Sequence, residues 1–269
     1  MPVVAAFLVP GTPLPYLKPD NPPWTPLAEG FKAAAAALKA AEPDVLLIYS
    51  TQWIAVLDQL WQTRDHVTGL HVDENWYEFG DLPFDMTVDR ELAEAAVAAT
   101  PDIGIRSRAV DYDGFPIDTG SIVADGFLNP ENRYRRVMTS NNLYHGAAQT
   151  AALGRVAVAA GDSLGRRMAL IGVGGLSGTL FRERIDIAED RIANEGDDGW
   201  NRRVLDLLES GDSAGLDATL PDYAFEARAD MGMKHLHWVL GGTGGFTGAK
   251  VHAYGPNYGS GAAIVEFEF

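Results

Sequence analysis

Segment 45–53, with the sequence VLLIYSTQW, constrains the fold more than any other stretch of the chain. Four large apolar residues and Tyr49 come in succession, which predicts a strand buried on both faces, as in the middle of a parallel sheet. Open α/β sheets place their chemistry at the carboxyl ends of such strands. A catalytic acid, base or metal ligand is expected there, but the sequence offers the neutral amide of Gln52.

The order of the flanking segments predicts one α/β domain over residues 1–269, with a mostly parallel central sheet flanked by helices. A strand at 3–9, a helix from Thr25-Pro26 and the strand at 45–49 form a βαβ unit, which favours parallel pairing of the two strands. Residues 54–83 are aromatic and polar, and are expected to be an irregular loop. Further predicted elements are helices at 89–99, 144–165, 199–209 and 223–240 and strands at 168–173 and 262–269.

Charge and composition exclude several classes of protein. The chain has 37 acidic and 21 basic residues, for a net charge of −16, which disfavours nucleic acids and anionic membranes as partners. No apolar run approaches the ~18 residues that span a bilayer. The chain contains no cysteine, so a disulfide, a thiolate nucleophile and a cysteine-ligated metal are excluded. A cytoplasmic protein is expected.

Local motifs for common enzyme sites do not fit. The run from Gly172 to Gly178 follows a predicted strand, but Ser177 stands where a dinucleotide fingerprint needs its last glycine. The same serine lacks the second glycine of a hydrolase elbow, because position 179 is threonine. His235 and His237 are two residues apart on a predicted helix, where they do not share a face. His145, just after a predicted strand end, is the histidine that remains a candidate.

Six stretches taken together resemble the class III extradiol ring-cleaving dioxygenases over nearly the whole chain. They are FLVPGTPLP, PDVLLIYSTQW, HVDENWYEFGDL, VDYDGFPIDTG, VGGLSGTLFRE and HAYGPNYGSGAA. The resemblance implies a fold in which ferrous iron is held by two histidines and a glutamate. It also implies a further histidine that acts as an acid–base group during oxygen insertion.

Matched by position, the functional residues of that family are missing here. The two histidine ligands fall on Thr12 and Gln52, and the acid–base histidine falls on Gly178. The glutamate falls on Asp230 or, with a shift of four residues, on Lys234. The family's DHG turn corresponds to Asp118-Thr119-Gly120, again without its histidine. These vestigial positions are Thr12, Gln52, Gly178, Asp230 and Thr119, and they predict no metal and no cofactor in this chain.

The resemblance therefore implies a non-catalytic alpha subunit of a two-gene family member that opens the ring of an aminophenol to a 2-aminomuconic semialdehyde. Its partner would be a homologous catalytic beta subunit that holds Fe(II), in an α2β2 assembly. Two alternatives stay open. One is a binding module for small aromatic molecules, with a possible pocket formed by Trp53, Tyr77, Asp118, Asn142 and His145. The other is a self-sufficient enzyme without iron that uses Asp230, His145 and Asp118 as acid–base groups.

Overall fold

The computed structural model describes residues 2–178 and 184–269. In these ranges the strands are β1 (Val3–Val9), β2 (Val45–Ala55), β3 (Gln59–Gln62), β4 (His66–His71), β5 (Leu82–Thr87), β6 (Ser107–Val110), β7 (Arg135–Asn142), β8 (Met168–Val173), β9 (Gly248–Asn257) and β10 (Ser260–Glu268). The helices are α1 (Leu14–Leu17), α2 (Thr25–Ala41), α3 (Arg90–Ala99), α4 (Thr119–Leu128), α5 (Ala147–Ser163), α6 (Glu195–Glu209), α7 (Ser213–Glu226) and α8 (Lys234–Thr243). Residue 179, which bears on the hydrolase motif, lies outside the described residues.

Among the described residues, eight strands form the central sheet, in the order β6-β3-β7-β2-β8-β1-β10-β9. The middle of this sheet, from β7 to β1, is parallel throughout. Antiparallel strands extend it on either side, because β3 pairs antiparallel with β7 and β10 with β1. The α/β fold with a mostly parallel central sheet flanked by helices is therefore confirmed.

The expected direct pairing of the first two long strands is wrong. Strands β1 and β2 run in the same direction, but β8 lies between them, with Gly172 opposite Leu8 on one side and Tyr49 on the other. Strand β8 is distant in sequence from β1 and from β2, so local sequence patterns cannot show that it lies between them. Its insertion completes the buried surroundings that the apolar run of β2 requires.

Strand β2 is longer and less regular than predicted. Its ladder with β7 is continuous to Tyr49 and resumes at Ile54, so residues 50–53 form an irregularity opposite β7. Such bulges re-aim side chains and are common next to binding sites. The irregularity turns Gln52 out of the sheet at the carboxyl end of the strand, where it is exposed.

Two apolar layers flank the sheet. One face carries α2 and α4, whose contacts include Phe31 and Val123. The other face carries α3, α5, α6, α7 and α8. Helices α5 and α8 approach very closely, since a Cβ on Gly154 would lie 2.3 Å from the carbonyl oxygen of Trp238. No helix in the two described ranges is long and apolar enough to cross a membrane.

Two other expectations are also wrong. The region 54–83 is not an irregular loop, because it contains β3 and an antiparallel hairpin of β4 with β5. The helix predicted over 223–240 is interrupted between α7 and α8. Met231, Gly232 and Met233 adopt positive φ angles of 46°, 63° and 58°, which no helix tolerates. By contrast, the helix at 89–99 and the strand at 168–173 are confirmed.

Candidate functional site

The carboxyl ends of β1, β2 and β8 meet where the family's site is expected. A Cβ placed on Gly11 would lie 3.0 Å from Nε2 of Gln52, 3.0 Å from Cγ1 of Val173 and 3.1 Å from Cα of Gly120. Gln52 thus turns its amide towards the end of β1 and the start of α4. We call the group of Thr12, Gln52, Gly178 and Asp230 the vestigial site.

Thr12 is tied to the last strands of the sheet. Its Oγ1 accepts a hydrogen bond from Nδ2 of Asn257, at the end of β9. Thr12 and Gln52 both offer neutral oxygen atoms, whereas imidazole nitrogen is the donor that suits ferrous iron in a site with two histidines and one carboxylate. These two positions therefore lack the donor type that the implied metal needs.

Asp230 lies in the turn between α7 and α8, and not on the long helix that was predicted. Its Oδ2 accepts hydrogen bonds from Oγ1 of Thr51 at 2.7 Å and from the backbone N–H of Gly175 at 2.8 Å. Its own N–H donates to the carbonyl oxygen of Leu176. The carboxylate is thus engaged by β2 and by the segment after β8, and it fastens the two together.

Gly178 occupies a position with no room for a side chain. Its N–H donates to the carbonyl oxygen of Ala227 at 3.1 Å, and a Cβ would lie 2.7 Å from the carbonyl oxygen of Arg228. That distance is shorter than a normal contact with backbone atoms. The segment after α7 therefore fills the space through which a histidine at position 178 would have to extend.

Asp118 and Thr119 are both used at the start of α4. Asp118 caps this helix by accepting from the N–H of Ser121, and it also accepts from Oγ of Ser50 at 2.5 Å. Thr119 donates to Oδ2 of Asp73 at 2.6 Å. Because its single proton is committed there, Thr119 accepts from Nε2 of His71, 2.8 Å away.

Lys234 forms a buried polar cluster next to the vestigial site. Its Nζ donates to Oδ1 of Asn141 at 3.2 Å and to the carbonyl oxygens of Asn142 and Leu143 at 2.9 and 3.3 Å. Asn141 in turn donates to the carbonyl oxygen of Thr51. Burial lowers the pKa of the Lys234 ammonium, although its three oxygen partners leave no proton of a charged lysine without an acceptor.

His235 is a buried residue that the sequence analysis did not recognise as part of this region. Burial lowers its pKa to about 4; the carboxylate of Asp230 opposes this shift, and His237 adds to it. A Cβ on Gly174 would lie 2.8 Å both from Oδ2 of Asp230 and from Nδ1 of His235, so the two side chains flank one point. The sequence predicted one continuous helix through residues 227–233, where the structure has a turn. Spacing along that helix therefore could not place His235 next to Asp230.

The residues predicted to form one pocket lie in different places. Asn142 contacts Lys234, and His145 is close enough for the lysine charge to add to the effect of burial in lowering its pKa. Trp53 packs against the ring of Phe115. Tyr77 lines a groove of about 690 Å³ whose lining includes Trp76, Phe79 and Tyr258, and none of the other four predicted residues.

The donor groups of the vestigial site do not fit the implied iron. Within residues 2–178 and 184–269, no three side chains of histidine, cysteine, aspartate or glutamate are placed to hold one metal ion. The candidate ligands are two neutral oxygens and a carboxylate that already accepts two hydrogen bonds. The site therefore supports polar contacts between segments, and no step of metal chemistry follows from it.

A family model described as the catalytic LigB subunit of aromatic ring-opening dioxygenase matches residues 6–268. The chain therefore belongs to this family of extradiol dioxygenases, and the resemblance inferred from the six stretches is confirmed.

Curated relatives place the chain more narrowly. It is 49% identical to the 2-aminophenol 1,6-dioxygenase alpha subunit of a Pseudomonas species, over 99% of both chains. It is 25% identical to the beta subunit of 2-aminophenol 1,6-dioxygenase from Pseudomonas, over 98% of this chain and 93% of the relative. A solved structure of an uncharacterized Escherichia coli K12 protein shares the fold, with a TM-score of 0.68 at 14% identity, covering 98% of this chain and 99% of that one.

Proposed function

We propose that this chain is the non-catalytic alpha subunit of a heteromeric Fe(II) extradiol dioxygenase. The enzyme opens the ring of 2-aminophenol, or of a substituted aminophenol, to a 2-aminomuconic semialdehyde. A homologous beta subunit holds the iron, and the two form an α2β2 assembly in the cytoplasm. This chain contributes one domain over residues 1–269, and its role is to stabilise the partner.

One observation carries the proposal: two polar groups of the vestigial site, those of Asp230 and Thr12, are hydrogen-bonded to other segments of this chain. Asp230 binds Thr51 and Gly175, and Thr12 binds Asn257. The implied iron site also needs two imidazole nitrogens besides a carboxylate, and Thr12 and Gln52 offer neutral oxygen atoms at those two positions. The relation to an alpha subunit at 49% identity over the full length supports the same conclusion.

The distribution of iron and activity tests this function. The isolated chain is expected to contain substoichiometric iron and to leave 2-aminophenol intact. Co-purified with the beta-type homologue of its own organism, it is expected to form a complex with iron and ring-opening activity. Stoichiometric iron together with turnover in the isolated chain would contradict the proposal.

A matched pair of variants locates the catalytic subunit. Replacement by alanine of the beta-subunit histidines that match Thr12 and Gln52 is expected to abolish turnover of the complex. Thr12→Ala and Gln52→Ala in this chain are expected to leave turnover unchanged. Equal losses from both sets of variants would show that this chain takes part in the chemistry.

A second candidate function is favoured by the groove at Tyr77. Its aromatic lining, with Trp76 and Phe79, suits a planar ring. Calorimetry with 2-aminophenol and catechol on the isolated chain distinguishes this binding module from a purely structural subunit.

The third alternative, an enzyme without iron, needs convergent acid–base groups. Asp118 and Asp230 are instead bound to Ser50 and Thr51 on β2.

A further inference from the structure

An apolar patch lies at the ends of β2 and β7, beyond the vestigial site. Five exposed side chains form it, and we call them the strand-end patch: Ile54, Val56, Leu57, Leu143 and Tyr144. Leu57 and Tyr144 are each 79% exposed. Large apolar side chains at such exposure are unfavourable in water unless another surface covers them.

The two segments of the patch are joined into one surface by the backbone. Residues 54 and 55 pair with 141 and 142, and the N–H of Leu143 donates to the carbonyl oxygen of Ala55 at 2.9 Å. From beneath, the ammonium of Lys234 binds the carbonyl oxygens of Asn142 and Leu143. The patch is therefore held in place before any partner arrives, which lowers the entropic cost of association.

The charge around the patch differs from that of the chain as a whole. Residues 52–57 and 141–144 contain no charged side chain, although the net charge of the chain is −16. At its rim, the buried carboxylate of Asp58 binds both Arg106 and Arg108, whose side chains are 76% and 71% exposed. These three residues together carry one excess positive charge, which is complementary to a surface that bears carboxylates.

We propose that the strand-end patch is the docking surface for the catalytic beta subunit, which covers it with apolar side chains flanked by carboxylates. The inference rests on the proposed function and adds the location of the interface. A second copy of this chain fits less well, because pairing about a twofold axis brings the same surface of both copies together. The two exposed arginines would then face the arginines of the other copy.

The size of the patch indicates its role in the interface. A stable interface buries about 800 Å² on each partner, and its binding energy is concentrated in a few central, fully buried residues. Five side chains form only the centre of such an area. Tyr144 is the expected anchor, because tyrosine is enriched among such residues. Leu57 is as exposed as Tyr144 and would bury the largest apolar area beside it.

A double variant of the patch tests the inference against a matched control. The patch variant is Leu57→Ser with Tyr144→Ser. The control is Leu70→Ser with Tyr112→Ser, an exposed leucine and tyrosine that line a different groove with Phe84. Each form is mixed with the purified beta-type homologue, and the Kd is measured by analytical ultracentrifugation. Circular dichroism melting of each form alone shows whether it is folded.

The patch variant is expected to raise the Kd at least about 30-fold, and the control less than about threefold. A Kd that is unchanged in a folded patch variant overturns the docking inference, while the wild-type complex leaves the proposed function in place. A wild-type chain that does not pair with the beta-type homologue contradicts the proposed function itself. If the isolated wild-type chain dimerises and the patch variant does not, the patch serves a second copy, which also overturns the inference.

Discussion

The vestigial site and the strand-end patch both lie at the carboxyl end of β2, and they differ in what their side chains contact. At the vestigial site, Asp230 and Thr12 are hydrogen-bonded to other segments of this chain. Two residues beyond the end of β2, the side chain of Leu57 is 79% exposed to water. At the positions where the family implies metal ligands, polar side chains of this chain bind other parts of the same chain. Beyond the end of β2, by contrast, large apolar side chains are left exposed.

This difference indicates which region stabilises the isolated chain and which region needs a partner molecule. Polar groups that bind one another stabilise the isolated chain. Exposed apolar groups stabilise only a complex. Substitutions in the two regions should therefore change different quantities, the free energy of unfolding for the first and the affinity for the partner for the second. The following predictions, from the largest expected effect to the smallest, test that separation.

The largest effect on unfolding is expected from His235 and depends on pH. Burial lowers its pKa in the folded state to about 4, whereas the unfolded histidine has a pKa of about 6.5. Between these values the unfolded state binds more protons, so stability falls as the pH falls. The contribution amounts to about 3 kcal/mol between pH 7 and pH 4.

Urea unfolding at a series of pH values checks this expectation. The His235→Gln variant should lose about 3 kcal/mol less than the wild type between pH 7 and pH 4. Carboxylates that lie away from His235 titrate alike in both proteins, so their contribution cancels in the difference. His66→Gln removes an exposed histidine that is paired with Asp85, and as the comparison it should change the pH dependence much less, because water screens an exposed pair. Parallel curves for all three proteins would contradict burial of a neutral His235.

A smaller effect is expected from Gly178→Ala, because the added methyl group meets the backbone at Arg228. Forcing an atom into a packed position costs about 2 kcal/mol. In Gly199→Ala the methyl group of α6 meets nothing within 4 Å, and the better helix propensity should stabilise by about 0.5 to 1 kcal/mol. Chemical denaturation measures both, and equal effects of the two substitutions would show that position 178 is open.

The smallest effect on unfolding is expected from the strand-end patch. Leu57→Ser and Tyr144→Ser should each change the free energy of unfolding of the isolated chain by less than about 0.5 kcal/mol, because surface substitutions rarely do more. The measurement is urea denaturation of the chain without its partner. A loss of several kilocalories would mean that the patch packs within its own chain, and the contrast between the two regions would disappear.

Sequence patterns were reliable where burial decides the structure. The apolar run of β2 and the helix capped by Asp89 were predicted because periodicity and capping are local. The place of β8 between β1 and β2 was not predictable, since strand order depends on contacts far apart in sequence. The break at Met231 and Met233 was missed as well, because non-glycine residues at positive φ leave no pattern.

The positions of the candidate site could be predicted from the sequence, but the contacts of its side chains could not. Family position pointed to Thr12, Gln52 and Asp230, and the structure places Gln52 at the meeting of three strand ends. What sequence could not supply was the partner of each group. The bond from Thr51 to Asp230 joins residues 179 positions apart, and only the folded chain brings them together.

Lys234 has a consequence for the order of events in the cell. Its ammonium bridges helix α8 to the end of β7, 93 residues earlier in the chain, through oxygen atoms that the polypeptide itself supplies. A bridge of this kind needs no metal ion, so a chelator cannot remove it. We therefore expect the subunit to mature independently of the iron supply and to await its partner already folded.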